Sequence, residues 1–296
     1  MAKIELMERD SSFPRSPGLS YKRLRNHLSK TKARVPVVWF RHRAFRSEDI
    51  FLGAYPRSGS TWSRFILFQI LTGQEAGFDT VNKTLPGVTS LRHGIPVLPH
   101  GGRLIGTHEA YRGEYKKAIY LVRDARDVLL SEYAYVKSLG YFESDFEEFV
   151  IEFARGKVNG FGPWHRNVLS WLDSPIADTP NLMVVRFEDL RRNPEEMFTR
   201  ITDFLDVRVD RQLIRQAVAD NSLDKMREKE NQSPQMPPGK DRFIRSGSVQ
   251  GWRGKLTHNQ LLLVEQYAGA ALARMGYPLD TAAEEVSPPR CAVKAV

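Results

Sequence analysis

The chain has 296 residues, 41% hydrophobic and 27% charged, enough for one large domain or two small ones and too apolar for a disordered tail. A single cysteine, Cys291, excludes an internal disulfide and a cysteine-based metal site and points to a reducing, cytoplasmic setting. The net charge of +9 belongs to residues 1–47, which hold 12 Lys and Arg against Glu5, Glu8 and Asp10, while the remaining 249 residues carry 32 charges of each sign.

Residues 1–47 therefore read as a basic N-terminal arm. Leu24 and Leu28 fall on one face of its densest stretch, residues 21–34, which opens a reading as a nucleic-acid or anionic-surface binder. Charge runs of this kind are commonly solvated, so a nucleic-acid partner is not expected. No stretch approaches the ~20 apolar residues of a membrane span. The first 30 residues lack the apolar core of a signal peptide, and the three acids argue against a transit sequence.

In chain order, Ile50-Phe-Leu-Gly-Ala-Tyr55 reads as a buried strand, followed by a turn over 56–61 and an apolar helix over 62–71. Residues 72–102, with six Gly and three Pro, read as a long irregular connection of the sort that lines a site. A short apolar strand then precedes His108, and Ala118-Ile-Tyr-Leu-Val122 is another. Asp124 caps the helix that follows, with Asp127 as its acidic partner near the positive end of the dipole. A further strand is expected over 181–186. Asn193-Pro194-Glu195-Glu196 is a helix entry, 232–254 is irregular around Phe243-Ile244-Arg245, and Thr257 with Gln260 starts a last helix. Residues 281–296 read as a flexible tail. Apolar runs alternating with helix starts predict an α/β fold, a central parallel sheet flanked by helices in a P-loop-like nucleotide-binding architecture.

The strongest local signal is Tyr55-Pro-Arg-Ser-Gly-Ser-Thr-Trp62. On a strand-to-helix turn, Gly59 lets backbone N–H groups converge on an anion, and Ser58, Ser60 and Thr61 add hydroxyls. Gly59 is followed by Ser60 where the P-loop of ATP and GTP enzymes has lysine, and the cation, Arg57, precedes the glycine.

This loop resembles the first signature of the sulfotransferases that use 3′-phosphoadenosine 5′-phosphosulfate (PAPS). Val122-Arg123 through Ser131 looks like that family's 3′-phosphate segment, and Phe243 through Arg253 resembles its third signature, with Arg245, Gly247 and Trp252 at matching offsets. The resemblance implies a single sulfotransferase domain over 48–280, PAPS as co-substrate and PAP as product. It implies that Arg57, Ser58, Gly59, Ser60, Thr61 and Trp62 bind the nucleotide at its 5′-phosphate and base. Arg123, Ser131, Arg245, Ser246 and Gly247 are then implied at the 3′-phosphate, and Phe187 and Ser222 at the base. In the same family Arg57 neutralises the oxygen from which the sulfuryl group departs. Four positions depart from its pattern: Arg57 replaces the lysine most common in the cytosolic branch, Ser246 stands where lysine is usual, Phe187 where tyrosine is usual, and Gly106 replaces the lysine of K-T-H. The family's dimer motif is only partly echoed over 253–261, and the oligomeric state is left open.

Transfer to a hydroxyl needs a base whose pKa lies near the working pH, which makes histidine the natural candidate. Thr107-His108 matches the rest of K-T-H, whose histidine is the catalytic base, and Glu109 is the rival. His93 and His100 read as residues of the loop or of the acceptor rim, and Trp164 as core. Tyr111, Tyr135, Tyr141, Phe142 and Phe161 are candidates to line a pocket for a small-molecule acceptor, an alcohol, a phenol or a natural product. No metal is expected, because no Cys or His spacing suggests ligands. The alternative enzyme is a P-loop kinase using Mg-ATP.

Overall fold

The computed structural model describes residues 45–88, 94–233 and 244–280. Most of the basic arm, the 281–296 tail, His93 and Phe243 lie outside the described residues.

Four parallel strands form the sheet: β1 (Ile50–Ala54), β2 (Leu104–Thr107), β3 (Ala118–Val122) and β4 (Leu182–Arg186), in the order β2-β1-β3-β4. Strands buried on both faces read as continuous apolar runs, which is why β1 and β3 were legible. Alternation divides them between two cores. Phe51, Tyr120 and Val122 face one side, against α3 (Ala125–Ser138), α4 (Phe146–Ala154), α5 (Trp164–Leu172) and α10 (His258–Arg274). Leu52, Ile119 and Leu121 face the other, against α1 (Ser60–Thr72), α2 (Phe78–Thr84), α7 (Pro194–Phe204) and α8 (Arg211–Asp220). Gly53 is dictated by packing, since a Cβ there would lie 2.7 Å from the Trp171 ring. Trp164 is buried in the first core, as expected.

The expected caps form in part. The Asp124 side chain accepts from Arg126 N, and Thr257 and Gln260 make a reciprocal capping box at the start of α10. Pro194 occupies the first turn of α7, but the Asn193 side chain makes no cap bond. Asp127 is more than a dipole partner: its Oδ1 accepts the backbone N–H of Trp252 at 3.0 Å. Arg126, fully buried, is satisfied by Asp124 at 2.7 Å and Glu265 at 2.8 Å and lies over the Trp252 ring.

The 72–102 connection is less irregular than expected. It contains α2, a 3-10 turn at Pro99–Gly101, and a parallel bridge from Gly87 to Gly106. An added Cβ at Gly106 would meet the Arg64 side chain at 3.6 Å and Gly87 Cα at 3.8 Å, ordinary contact distances, so nothing in the structure requires glycine there. At the other end of the strand, Arg103 and Asp49 form a buried ion pair that ties the start of β2 to the residue before β1. Two further helices complete the described chain: α6 (Phe187–Arg192), directly after β4, and α9 (Leu223–Gln232).

Candidate active site

β1 connects to β2 on one side of the sheet and β3 to β4 on the other, so a crevice opens beyond the carboxyl ends of β1 and β3, where α/β sheets bind ligands. A cavity of about 410 Å³ lies there.

Its first wall is the β1–α1 turn, with Arg57, Gly59, Ser60, Thr61 and Trp62 lining the cavity. Gly59 takes a φ of +92° at the N-terminus of α1, whose first turn holds no acid and whose start has no side-chain cap. Its amides and the positive end of the dipole are thus left to an anion. A side chain is doubly excluded at Gly59: the φ is left-handed, and a Cβ would sit 2.6 Å from the Phe187 ring. Arg57 is itself left-handed, at φ 68°, a strained state for a non-glycine residue that suits a functional turn. Its Nε donates to Ser131 Oγ at 3.1 Å, and its guanidinium lies 4.8 Å from the centre of the Tyr135 ring. Burial lowers its pKa, opposed by the Glu132 carboxylate.

Arg123, at the end of β3, joins the first and third motifs. Its guanidinium donates to the carbonyl of Arg57 at 3.1 Å and to that of Ser248 at 2.8 Å, while its Nε is buried with no partner. It lies over the Phe187 ring, 4.6 Å from the centre. Phe187, 4% exposed, is the floor on which the motifs converge: its edge meets Trp62, and Gly59 and Gly247 both approach it. Trp62 is fixed by Nε1–H donation to the carbonyl of Asn221 at 2.8 Å. Arg245 and Gly247 also line the cavity, as does Ser131.

Three expected residues do not reach this lining. Ser58 is fully buried beneath the turn with its hydroxyl unpartnered among the described residues. Ser222 stands at the start of α9, where Leu223 and Met226 reach the cavity instead. The Ser246 hydroxyl bonds Ser248 Oγ at 3.1 Å.

His108 also lines the cavity. Its Nδ1 lies 2.7 Å from the carbonyl oxygen of Ala54. A carbonyl can only accept, so Nδ1 carries a proton, and whenever the ring is neutral its lone pair is on Nε2. The backbone at this point is clamped by α5: Asn167 donates to the carbonyl of His108 at 3.0 Å, and Trp171 to that of Glu109 at 3.1 Å. The Glu109 side chain is not part of the lining. Tyr135, Tyr141 and Phe161 line the cavity as expected, whereas Tyr111 and Phe142 pack on the first core. The His100 side chain is 80% exposed beside Asp206, away from the cavity.

Sequence reasoning missed Glu132, Asn159 and Arg191, all of which reach the cavity. Glu132, 3% exposed, accepts from Asn159 at 3.1 Å, and Asn159 also donates to the Tyr55 hydroxyl at 3.1 Å. The signal for Glu132 was available, since it falls on the buried stripe of α3 with Val128, Leu129 and Val136. Asn159 sits in a glycine-rich run with no periodicity. Among the described residues no cluster of three or more His, Cys, Asp or Glu is placed to hold a metal, and no helix is long and apolar enough to cross a membrane.

The cavity thus brings together an uncapped helix start, four arginines and a histidine whose Nδ1 is tied to a backbone carbonyl. A family model for the sulfotransferase domain matches residues 103–276, more than half of the chain, and the chain belongs to the sulfotransferase family. It is similar to Sulfotransferase 1B1 of Mus musculus, 27% identical over 249 residues that cover 75% of this chain and 82% of the relative. It is also similar to Cytosolic sulfotransferase 13 of Arabidopsis thaliana, 27% identical over 73% of this chain and 74% of the relative. Among solved structures, the fold is similar to retinol dehydratase in a complex with retinol and PAP, with a TM-score of 0.66, 18% identity, and 81% and 86% of the two chains covered.

Proposed function

We propose that this chain moves the sulfuryl group of PAPS to a hydroxyl of a small-molecule acceptor in the cytoplasm, with His108 as general base, and that one domain over 48–280 carries the activity. The nucleotide fits the residues present. The uncapped start of α1, the buried unpartnered Arg123 Nε and four lining arginines offer donors and positive charge suited to a ligand with anionic groups at two ends. When bound, PAPS supplies the activated sulfuryl group. Gly59, Ser60 and Thr61 bind its 5′ end, Trp62 and Phe187 its base, and Arg123, Arg245 and Gly247 its 3′ end. Arg57 supplies positive charge where the leaving oxygen becomes anionic. His108 Nε2 takes the acceptor proton as that hydroxyl oxygen bonds to sulfur.

The observation that supports the reading is the His108–Ala54 contact, because it ties Nδ1 to a backbone carbonyl and leaves Nε2 of a cavity-lining ring as the nitrogen that can accept a proton. The apolar lining from Val136, Tyr141, Val158 and Phe161 supports an acceptor with an aromatic or alicyclic body. Calorimetric titration with PAP and with Mg-ATP tests the donor: PAP binds, and Mg-ATP does not compete at similar concentration. Tight Mg-ATP binding without PAP binding would favour the kinase alternative.

A further inference from the structure

Four arginines reach the cavity, and three of them are anchored within the protein. Arg57 donates to Ser131, Arg123 to the carbonyls of Arg57 and Ser248, and Arg245 to the carbonyl of Leu130 at 3.3 Å. Arg191, in the last turn of α6, differs. It is exposed and has no hydrogen bond or ion pair among the described residues, whereas its neighbour Arg192 pairs with Asp189 at 3.5 Å. Arg191 lies over the Trp62 ring, 5.3 Å from its centre, and its Nε is 3.9 Å from where a Cβ of Gly247 would stand. The guanidinium is therefore held beside Gly247 of the third motif, next in the chain to Ser246, a residue whose hydroxyl is engaged with Ser248 and which brings no charge.

We propose that Arg191 is a binding residue for the 3′-phosphate of the donor nucleotide, supplying the cation that position 246 lacks. The inference rests on the reading of this cavity as a PAPS site. A guanidinium has five N–H donors, and one with no partner in the protein can turn two of them to a phosphate without breaking an existing bond. The Trp62 ring restrains its swing, so less freedom is lost on binding. Gly247, at φ 54° and without a side chain, leaves the gap between Arg191 and the Phe187 floor open.

The test is calorimetric titration of the full chain with PAP and with 5′-AMP, which lacks the 3′-phosphate, for wild type, Arg191→Ala and Arg191→Lys. Arg191→Ala is expected to weaken PAP binding about ten- to a hundredfold and to leave 5′-AMP binding within about twofold, with Arg191→Lys recovering part of the loss. Equal losses for both ligands, or unchanged PAP binding in Arg191→Ala, would overturn the assignment of Arg191 alone. A wild-type chain that fails to bind PAP would overturn the PAPS reading together with it. Matching melting temperatures of the three proteins show that the fold is intact.

Discussion

The imidazole of His108 donates its Nδ1 proton to the carbonyl of Ala54, the last residue of β1, across 2.7 Å. The strand that leads into the anion cradle thus also sets the tautomer of the proposed base. Replacing His108 by Ala is expected to lower kcat by about 10²- to 10⁴-fold, the usual range for a lost general base. PAP affinity should stay within about twofold, because the role proposed for His108 is towards the acceptor hydroxyl. Single-turnover rates and PAP titration of the variant check both halves.

Asn167 acts on the same residue from behind, donating to the carbonyl of His108 while accepting from the Tyr120 hydroxyl at 2.8 Å. As a positioning residue, Asn167→Ala should lower kcat by about tenfold or more with little change in PAP affinity. Asn167→Asp should fail to rescue, because it cannot donate to a carbonyl. A variant that loses PAP affinity and kcat in proportion would indicate a general structural role instead.

Gly59 and Phe187 form the tightest junction of the cradle. Gly59→Ala puts a Cβ 2.6 Å from the ring at a left-handed φ. The expected cost is about 1–3 kcal/mol of stability, with loss of PAP binding as the turn shifts. Phe187→Leu in the Gly59→Ala background should return part of the stability by making room, but not the strain of the φ. Denaturant midpoints of the single and double variants measure the coupling.

Asp127 predicts a pH effect. Burial pushes its carboxyl up to about 6, with Arg123 opposing and Asp124 and Glu188 adding to the rise. The folded chain then holds this proton more tightly than the unfolded chain, whose carboxyl titrates near ~3.9. Asp127 therefore contributes least to stability when ionised, and its share improves as pH falls from above about 6 towards about 4. Asp127→Asn keeps an oxygen to accept from Trp252 and removes the charge. It should be more stable than wild type at about pH 7.5, with the gap closing by about pH 4. Urea midpoints across that range decide it, and a gap that does not change with pH would refute the assignment.

Much of this fold was legible because parallel strands buried on both faces leave continuous apolar runs, as in β1 and β3. The caps of α3 and α10 were legible because Asp124 and Thr257 stand just before helical periodicity. The cradle was legible as chemistry, since Arg57, Gly59, Ser60 and Thr61 serve no core position at that turn. What escaped depends on the third dimension. Arg191 lies only four residues after Phe187 in a short helix, and nothing local says that it meets Trp62 and Gly247, far away in sequence. Ser58, Ser222 and Ser246 match by offset, yet burial, a helix start and a neighbouring hydroxyl direct them elsewhere. Asn159 has no periodic signal at all, because its place is fixed by hydrogen bonds to Tyr55 and Glu132.

The most direct measurement is transfer from PAPS carrying a labelled sulfuryl group to a panel of phenols, alkyl alcohols, amines and sugars, by wild type and His108→Ala. The account predicts acceptor-dependent formation of a labelled sulfate ester and of PAP in equal amounts, with His108→Ala slowed by about 10²-fold or more while it still binds PAP. Full turnover by His108→Ala, or transfer to amines alone with no hydroxyl acceptor, would contradict it.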